Sequence, residues 1–111
     1  KVINGEKVKC HQVEVNCKTK GFAENKAVQI AIRPEDIRFN KENENDNLIN
    51  AKINEIEFLG AFQRIYFYSS AISSNSIIMD IPSSSARKIK LTIGDELNLY
   101  FSQEDTKVYQ V

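Results

Sequence analysis

The sequence is poor in several residue types, and each scarcity excludes a class of protein. Its 111 residues include no tryptophan, one histidine, two prolines and two cysteines. Two cysteines are too few for a disulfide scaffold, so a hydrophobic core has to hold the chain together. No apolar run approaches the roughly 20 residues that cross a bilayer, and no signal peptide is visible. Length alone predicts one domain, with about two-thirds of the unfolded surface buried.

The chain also has no excess of either charge. Lysine and arginine together number 15, aspartate and glutamate also number 15, and the formal net charge is zero. Polynucleotides and anionic membranes attract proteins with a clear positive excess, so neither is expected as the main partner. No pair of carboxylates has a spacing that predicts acid–base catalysis.

The few soft metal ligands do not form a recognisable site. Cys10, His11 and Cys17 lie close in sequence, but structural zinc needs four donors at a defined spacing. Adjacent residues on a strand point to opposite faces, which separates Cys10 from His11 and excludes a simple nucleophile pair. We therefore expect reduced thiols on an ordinary strand over residues 8–17, with a Cys10–Cys17 disulfide as the alternative.

The stretch from Ala27 to Phe39 organises the rest of the chain. Val28, Ile30 and Ile32 recur at every second position, which predicts a buried strand. Pro34 ends this strand because it lacks an N–H, and it biases Arg33 towards an extended backbone. Glu35 and Asp36 suit the first turn of a short helix that begins at the proline. The pattern predicts a rigid corner that presents Arg33 and Glu35.

Similar alternation predicts further short strands and an all-β fold. They fall at residues 48–59, 64–68, 77–81, 97–101 and 107–111, separated by polar or glycine-containing segments at 18–26, 40–47 and 69–76. A one-residue shift of the apolar set between Ile53 and Ile56 predicts a β-bulge. Ser83 to Ser85 predict a cap for one or two helical turns. About seven short strands favour a small antiparallel barrel or sandwich.

The same alternation predicts which side chains form the core. The expected buried residues are Ile30, Ile32, Ile53, Phe58, Phe67, Met79, Leu97 and Leu99.

Three motifs in the same order resemble one family. Ile32-Arg33-Pro34-Glu35 comes first, Glu57 to Arg64 contains F-L-G followed by an arginine, and Ile93 to Leu99 contains a closing G-D turn. Together they resemble the transport-associated OB (TOBE) regulatory domain at the C-terminus of ATP-binding subunits of bacterial ABC importers. The resemblance covers roughly residues 27–111, and its F-L-G segment is more similar to importers of ferric iron or polyamine than to the maltose importer.

The resemblance implies a fold and a domain organisation. The implied fold is a small OB-like antiparallel β-barrel over residues 27–111, with residues 1–26 added as extension strands and a loop, in one domain of residues 1–111. An ATPase domain holding ATP and magnesium is expected upstream of Lys1, since the chain does not start with methionine. The chain itself lacks the G-x-x-x-x-G-K-S/T loop, so no catalysis, cofactor or metal is expected here.

The resemblance also implies a role and partners. The role is regulation and dimerisation of the ATP-binding subunit, in the cytoplasm at the inner face of the membrane. Its implied partners are its own N-terminal ATPase domain, a second copy of the subunit and the membrane subunits, with no nucleic acid. The residues expected to contact a partner are Arg33, Pro34, Glu35, Gly60 and Arg64. The structural alternative is that Arg33 and Glu35 merely form a local ion pair that holds the corner.

Two other functions stay open at this point. A stand-alone OB module for single-stranded nucleic acid would use Arg64, Tyr66 and Tyr68, which alternate along one strand. A small-oxyanion module would use Ser84-Ser85-Ala86-Arg87, which is similar to the S-A-R-N segment of molybdate-binding relatives. That segment opens the relatives' repeat, however, whereas the corresponding opening position here reads Asn47-Leu48-Ile49-Asn50.

Overall fold

The computed structural model describes residues 1–10, 13–19, 21–72 and 74–110, and these form an antiparallel all-β fold, which confirms the predicted fold class. Only two short helical segments occur in the described ranges, a 3₁₀ turn at Pro34–Asp36 and the helix α1 at Ser83–Ala86. The strands are β1 Val2–Asn4, β2 Lys7–Cys10, β3 Val13–Asn16, β4 Val28–Ile32, β5 Asn47–Phe58, β6 Phe62–Ser69, β7 Ser74–Pro82, β8 Glu96–Phe101 and β9 Thr106–Gln110.

The strand β5 is the centre of the largest sheet, whose order is β7-β6-β5-β8. Its N-terminal half pairs with β8 from Asn47 to Lys52, and its C-terminal half pairs with β6 from Lys52 to Phe58. The register with β6 shifts between Ile53 and Glu55, which confirms the predicted bulge. A bulge bends a strand, so β5 can serve both sides of a curled sheet.

The N-terminal residues form a separate small sheet, β1-β2-β3, and β4 pairs with β9. The single strand predicted over residues 8–17 is wrong, because β2 and β3 are two antiparallel strands with Val8 opposite Val15. His11 and Gln12, which connect them, lie outside the described residues. No glycine, proline, asparagine or aspartate marks this connection, so turn propensity missed it.

Two hydrogen bonds between Asn16 and Asn47 connect the N-terminal sheet to β5. The Asn16 N–H donates to Asn47 Oδ1 at 2.7 Å, and Asn47 Nδ2 donates back to the Asn16 carbonyl at 3.0 Å. Asn47 is buried, and these bonds satisfy its amide as a strand neighbour would.

The main core lies between the four-stranded sheet and the segments that cover it. Its buried members are Ile37, Ala51, Ile53, Ile65, Phe67, Met79, Ile81, Ala86 and Leu99. Four predicted core residues, Ile53, Phe67, Met79 and Leu99, are confirmed as buried. Ile30, Ile32 and Leu97 are half-buried and pack against the clusters rather than inside them. Ile30 and Ile32 lie on a two-stranded ribbon, one face of which lines a groove.

The prediction that Phe58 is buried is wrong, because its side chain is 73% exposed. After the bulge, Ile56 is the residue that packs on the core. Phe58 is the last residue of β5, beyond the end of the packed region. Alternation predicts which face of a strand is buried. It does not predict where along the strand the layer packed against that face ends.

The loss in free energy of unfolding on truncating a side chain should increase with the burial of that side chain. Leu99→Ala should lower the free energy of unfolding by about 2–5 kcal/mol, because Leu99 is 1% exposed in the main core. Ile32→Ala should cost less, and Phe58→Ala should change stability by less than about 0.5 kcal/mol. Urea denaturation of the three variants measures this order. A larger loss for Phe58→Ala than for Leu99→Ala would contradict the packing described.

Candidate functional site

The corner at the end of β4 has the geometry that the sequence predicts. Arg33 is extended at φ −69° and ψ 137°, and Pro34 opens the 3₁₀ turn. The Asp36 N–H donates to the Arg33 carbonyl at 2.9 Å and closes this turn. Arg33 and Glu35 are exposed, and within the described ranges no ion pair joins them. The corner is therefore set by the backbone and leaves two opposite charges available to a partner.

The electrostatics of the corner extend to the loop before β9. Burial raises the pKa of Asp36, and the carboxylates of Asp105 and Glu35 act in the same direction, whereas Arg33 and Lys107 oppose them. Carboxylates outnumber cations at this corner, so it does not attract a free anion.

An apolar groove runs beside the corner. Its volume is about 420 Å³, and no charged residue lines it. Pro34 and Ile37 lie at the corner, while Ile30 of β4 and Ile77 of β7 lie on its walls. An uncharged groove suits apolar side chains, and it offers no group for acid–base or nucleophilic chemistry.

Gly60 lies away from this groove, in the turn between β5 and β6. Its backbone is left-handed at φ +81°, which an L-residue adopts only with strain. Ser83 Oγ donates to the Gly60 carbonyl at 2.6 Å, and the Ser83 N–H donates to the Ala61 carbonyl at 3.0 Å. The expected serine cap of α1 is therefore wrong, because no serine side chain caps the helix and the Ser83 hydroxyl docks it on the turn.

Arg64 is held within its own sheet. Its guanidinium donates to Asp80 through Nε at 2.9 Å and Nη2 at 3.0 Å, directly across from it on β7. The Arg64 guanidinium also lies 5.8 Å from the centre of the Phe62 ring. Bidentate pairing of this kind fixes the side chain. Arg64 thus links β6 to β7. That Arg64 contacts a partner stays a prediction, which this geometry does not support.

The neighbouring Tyr66 is also engaged. Its hydroxyl donates to Glu57 Oε1 at 3.1 Å, and this hydrogen bond is the main reason that the pKa of Tyr66 is raised. A nucleic-acid site needs cations that are free to meet phosphates. Here Arg64 and Tyr66 are each matched with a carboxylate, so the surface does not favour nucleic acid.

The loop at residues 40–47 contains an anchor that the sequence interpretation missed. The side chain of Asp46 is fully buried, and its Oδ2 accepts from Arg38 Nη2 at 3.0 Å. The same oxygen accepts from the N–H groups of Glu42 at 2.8 Å and Asn43 at 3.0 Å. Residues 40–47 are all polar, yet the loop buries this carboxylate. The available signal was an aspartate in a polar loop, since an Asp side chain readily accepts hydrogen bonds from nearby backbone N–H groups.

Comparison with known proteins places the chain in a family. The family model of the TOBE domain matches residues 30–108. The chain belongs to the TOBE domain family. No curated protein sequence matches it at a significant level.

One solved structure shares the fold of this TOBE domain. It is the cytoplasmic molybdate-binding protein ModG with molybdate bound, with a TM-score of 0.72. The superposition covers 89% of this chain and 76% of ModG, at 8% sequence identity. This likeness establishes the arrangement of strands. Among the described residues, no helix is long and apolar enough to span a membrane.

Both cysteines of this TOBE domain are at least partly buried. Cys10 and Cys17 are both free, so the alternative of a disulfide between them is not adopted. Burial raises the pKa of both thiols, which disfavours the nucleophilic thiolate. Nowhere in the described ranges do three histidine, cysteine, aspartate or glutamate side chains gather as a metal site would require.

The polar depressions of the described surface carry little positive charge. One, of about 220 Å³, lies between residues 43–46 and 102–104 and contains Glu44, Asp46 and Glu104. Another, of about 210 Å³, contains one lysine, Lys52, and one glutamate, Glu96. Neither is a ready site for a small anion within a single chain.

Asp46 predicts a defined pH dependence of stability. Burial by itself raises the pKa of this carboxyl, but the hydrogen bonds from Glu42, Asn43 and Arg38 outweigh burial and lower the pKa from 3.8 to about 2. A lowered folded-state pKa stabilises the fold above the unfolded pKa, and the benefit is lost as the pH falls towards the folded value. Asp46→Asn should therefore lower the free energy of unfolding by about 1–3 kcal/mol at neutral pH, and this difference should shrink between pH 4 and 2.

The matched control is Glu44→Gln, which removes an exposed carboxylate of the same loop. Urea denaturation of both variants across this pH range checks the prediction. A difference for Asp46→Asn that stays constant down to pH 2, or equals that of the control, would exclude the anchoring role.

Proposed function

We propose that this TOBE domain is a non-catalytic regulatory domain that works through protein contacts. The observation that carries the proposal is the exposed corner of Arg33, Pro34 and Glu35 beside an uncharged groove. The backbone of the corner is already ordered, so the corner loses little conformational freedom when a partner binds it. Apolar walls and one charge of each sign suit a protein surface better than a small ion.

The motif resemblance supports a specific setting for this role. The domain would belong to the ATP-binding subunit of a bacterial ABC importer for ferric iron or polyamine. Its own ATPase domain, with ATP and magnesium, would precede it in the longer chain. It would contact that domain, a second copy of the subunit and the membrane subunits, at the cytoplasmic face of the membrane. Gly60 would shape the contact surface by holding its turn.

The corner is tested by reversing its charges in the intact subunit. Arg33→Glu combined with Glu35→Arg should alter regulated ATP turnover in the assembled transporter or weaken the subunit dimer, because both charges are exposed. Turnover of the subunit alone should persist, since both residues lie outside the proposed ATPase domain. The control is Glu24→Lys, an exposed charge reversal in the loop between β3 and β4. If assembly and regulation match the wild type, the corner is only structural.

A second candidate is the binding of a small oxyanion, and the structural comparison favours it over the importer subunit. One solved structure that shares this fold is a molybdate-binding protein. The Ser84-Ser85-Ala86-Arg87 segment supplies hydroxyls and a guanidinium at an exposed position. Two polar depressions of the described surface contain carboxylates, so for this candidate we propose that the oxyanion binds between copies of the domain.

Thermal unfolding tests this candidate. If the segment binds an oxyanion, molybdate or tungstate should raise the midpoint temperature in a saturable way, as any ligand of the native state does. Arg87→Ala should abolish the increase, while Arg33→Ala, an exposed arginine at the corner, should not. An equal increase with chloride at the same ionic strength would exclude a specific site.

A further inference from the structure

Four of the large hydrophobic side chains that the structure exposes belong to two neighbouring segments at one end of the barrel. Phe58 is 73% exposed, Ile93 62%, Ile89 41% and Leu59 40%. Phe58 is the last residue of β5 and Leu59 follows it, while Ile89 and Ile93 lie in the segment between α1 and β8. We call this set of four residues the apolar rim.

Hydrogen bonds and shared core contacts bring the two segments together. The Gly94 N–H donates to the Ile53 carbonyl, and the Ile53 N–H donates to the Asp95 carbonyl, each at 2.9 Å. Further along, Ile56 and Leu91 pack against the same core cluster. Phe58 is two residues after Ile56 and points to the same side of the strand. Leu91 lies midway between Ile89 and Ile93. The rim therefore continues the core out to the surface.

The strand beside the rim has an unpaired edge. The ladder between β5 and β8 ends at Lys52 and Glu96, whereas β5 continues to Phe58 with β6 on its other side. Residues 54–58 thus have a strand partner on one side only within the described chain. An open edge next to exposed apolar side chains is a surface that accepts another protein.

The charges around the rim are complementary to one another. Arg87, Lys88 and Lys90 are exposed on the segment after α1, and Glu55 is exposed on the open edge. No ion pair in the described ranges involves any of these four residues. Two copies related by a twofold axis would each place the basic segment against the acidic edge of the other, as an isologous interface requires.

We propose that the apolar rim is the contact between two copies of this domain, with Glu55 of one copy facing the basic segment of the other. The inference rests on the proposed regulatory function and adds a self-contact at the rim to the contacts proposed for the Arg33 corner. A contact of about 600–800 Å² per copy is near the lower limit for specific association, and the chain exposes 6996 Å² in all. The isolated domain therefore forms a weak dimer, which strengthens when the domain is joined to a larger dimerising subunit.

The test is a charge exchange followed by sedimentation equilibrium of the 111-residue chain. Glu55→Lys alone and Lys88→Glu with Lys90→Glu alone should each raise the dimer dissociation constant about tenfold, because each homodimer then meets like charges twice. An equimolar mixture of the two variants should recover dimerisation, since both contacts of the mixed dimer are again opposite in sign. Recovery in the mixture cannot arise from a folding defect in either variant.

The apolar part is tested with a matched pair of substitutions. Phe58→Ser should raise the dissociation constant more than tenfold, while Leu48→Ser, at the other end of β5 and 49% exposed, should leave it unchanged. A wild-type chain that stays monomeric at submillimolar concentration, or single variants that dimerise normally, would overturn the proposal. Binding to anionic vesicles by a monomeric wild type, lost with Lys88→Glu and Lys90→Glu, would overturn it in favour of a lipid surface. Failure here leaves the corner test intact, because that test follows regulation in the intact subunit.

Discussion

The structure depends on one strand that pairs with different neighbours along its length. In β5 the residues Ile49, Ala51 and Ile53 point inward while the strand pairs with β8, and the bulge after Ile53 then turns it towards β6. Without that extra residue the inward set would move to the solvent face. Because β8 begins at Glu96, opposite Lys52, the part of β5 beyond the bulge has an open edge that ends in Phe58.

Much of the fold follows from local pattern. Alternation at Val28, Ile30 and Ile32 predicts a strand, Pro34 predicts the corner, and the shift of the apolar set at Ile56 predicts the bulge. The structure has all three, although the strand is half-buried and not buried as expected. The errors have physical causes as well. The connection after Cys10 has no turn residue, and Phe58 lies past the end of the layer that would cover it. Local sequence does not report how far an opposing layer extends.

The candidate site could be predicted only in part from the sequence, because some motif residues are exposed while others are paired within the fold. Arg33 and Glu35 are exposed at the predicted corner. Arg64 forms a bidentate pair with Asp80, sixteen residues away and on another strand, which no spacing rule reveals. Asp46 likewise looked like part of a polar loop, although its buried carboxylate organises that loop. A charged side chain is available to a partner only when its own fold leaves it unmatched.

The central claim is that this TOBE domain acts by contacting protein and not by binding a small ion. Amide hydrogen exchange, followed as chain concentration and then molybdate concentration are raised, tests it most directly. The account predicts that rising chain concentration slows exchange at residues 55–59 and 87–93, where the open edge and the apolar rim lie, and that molybdate changes neither segment. Slower exchange at residues 83–87 with molybdate, and no dependence on chain concentration, would contradict it.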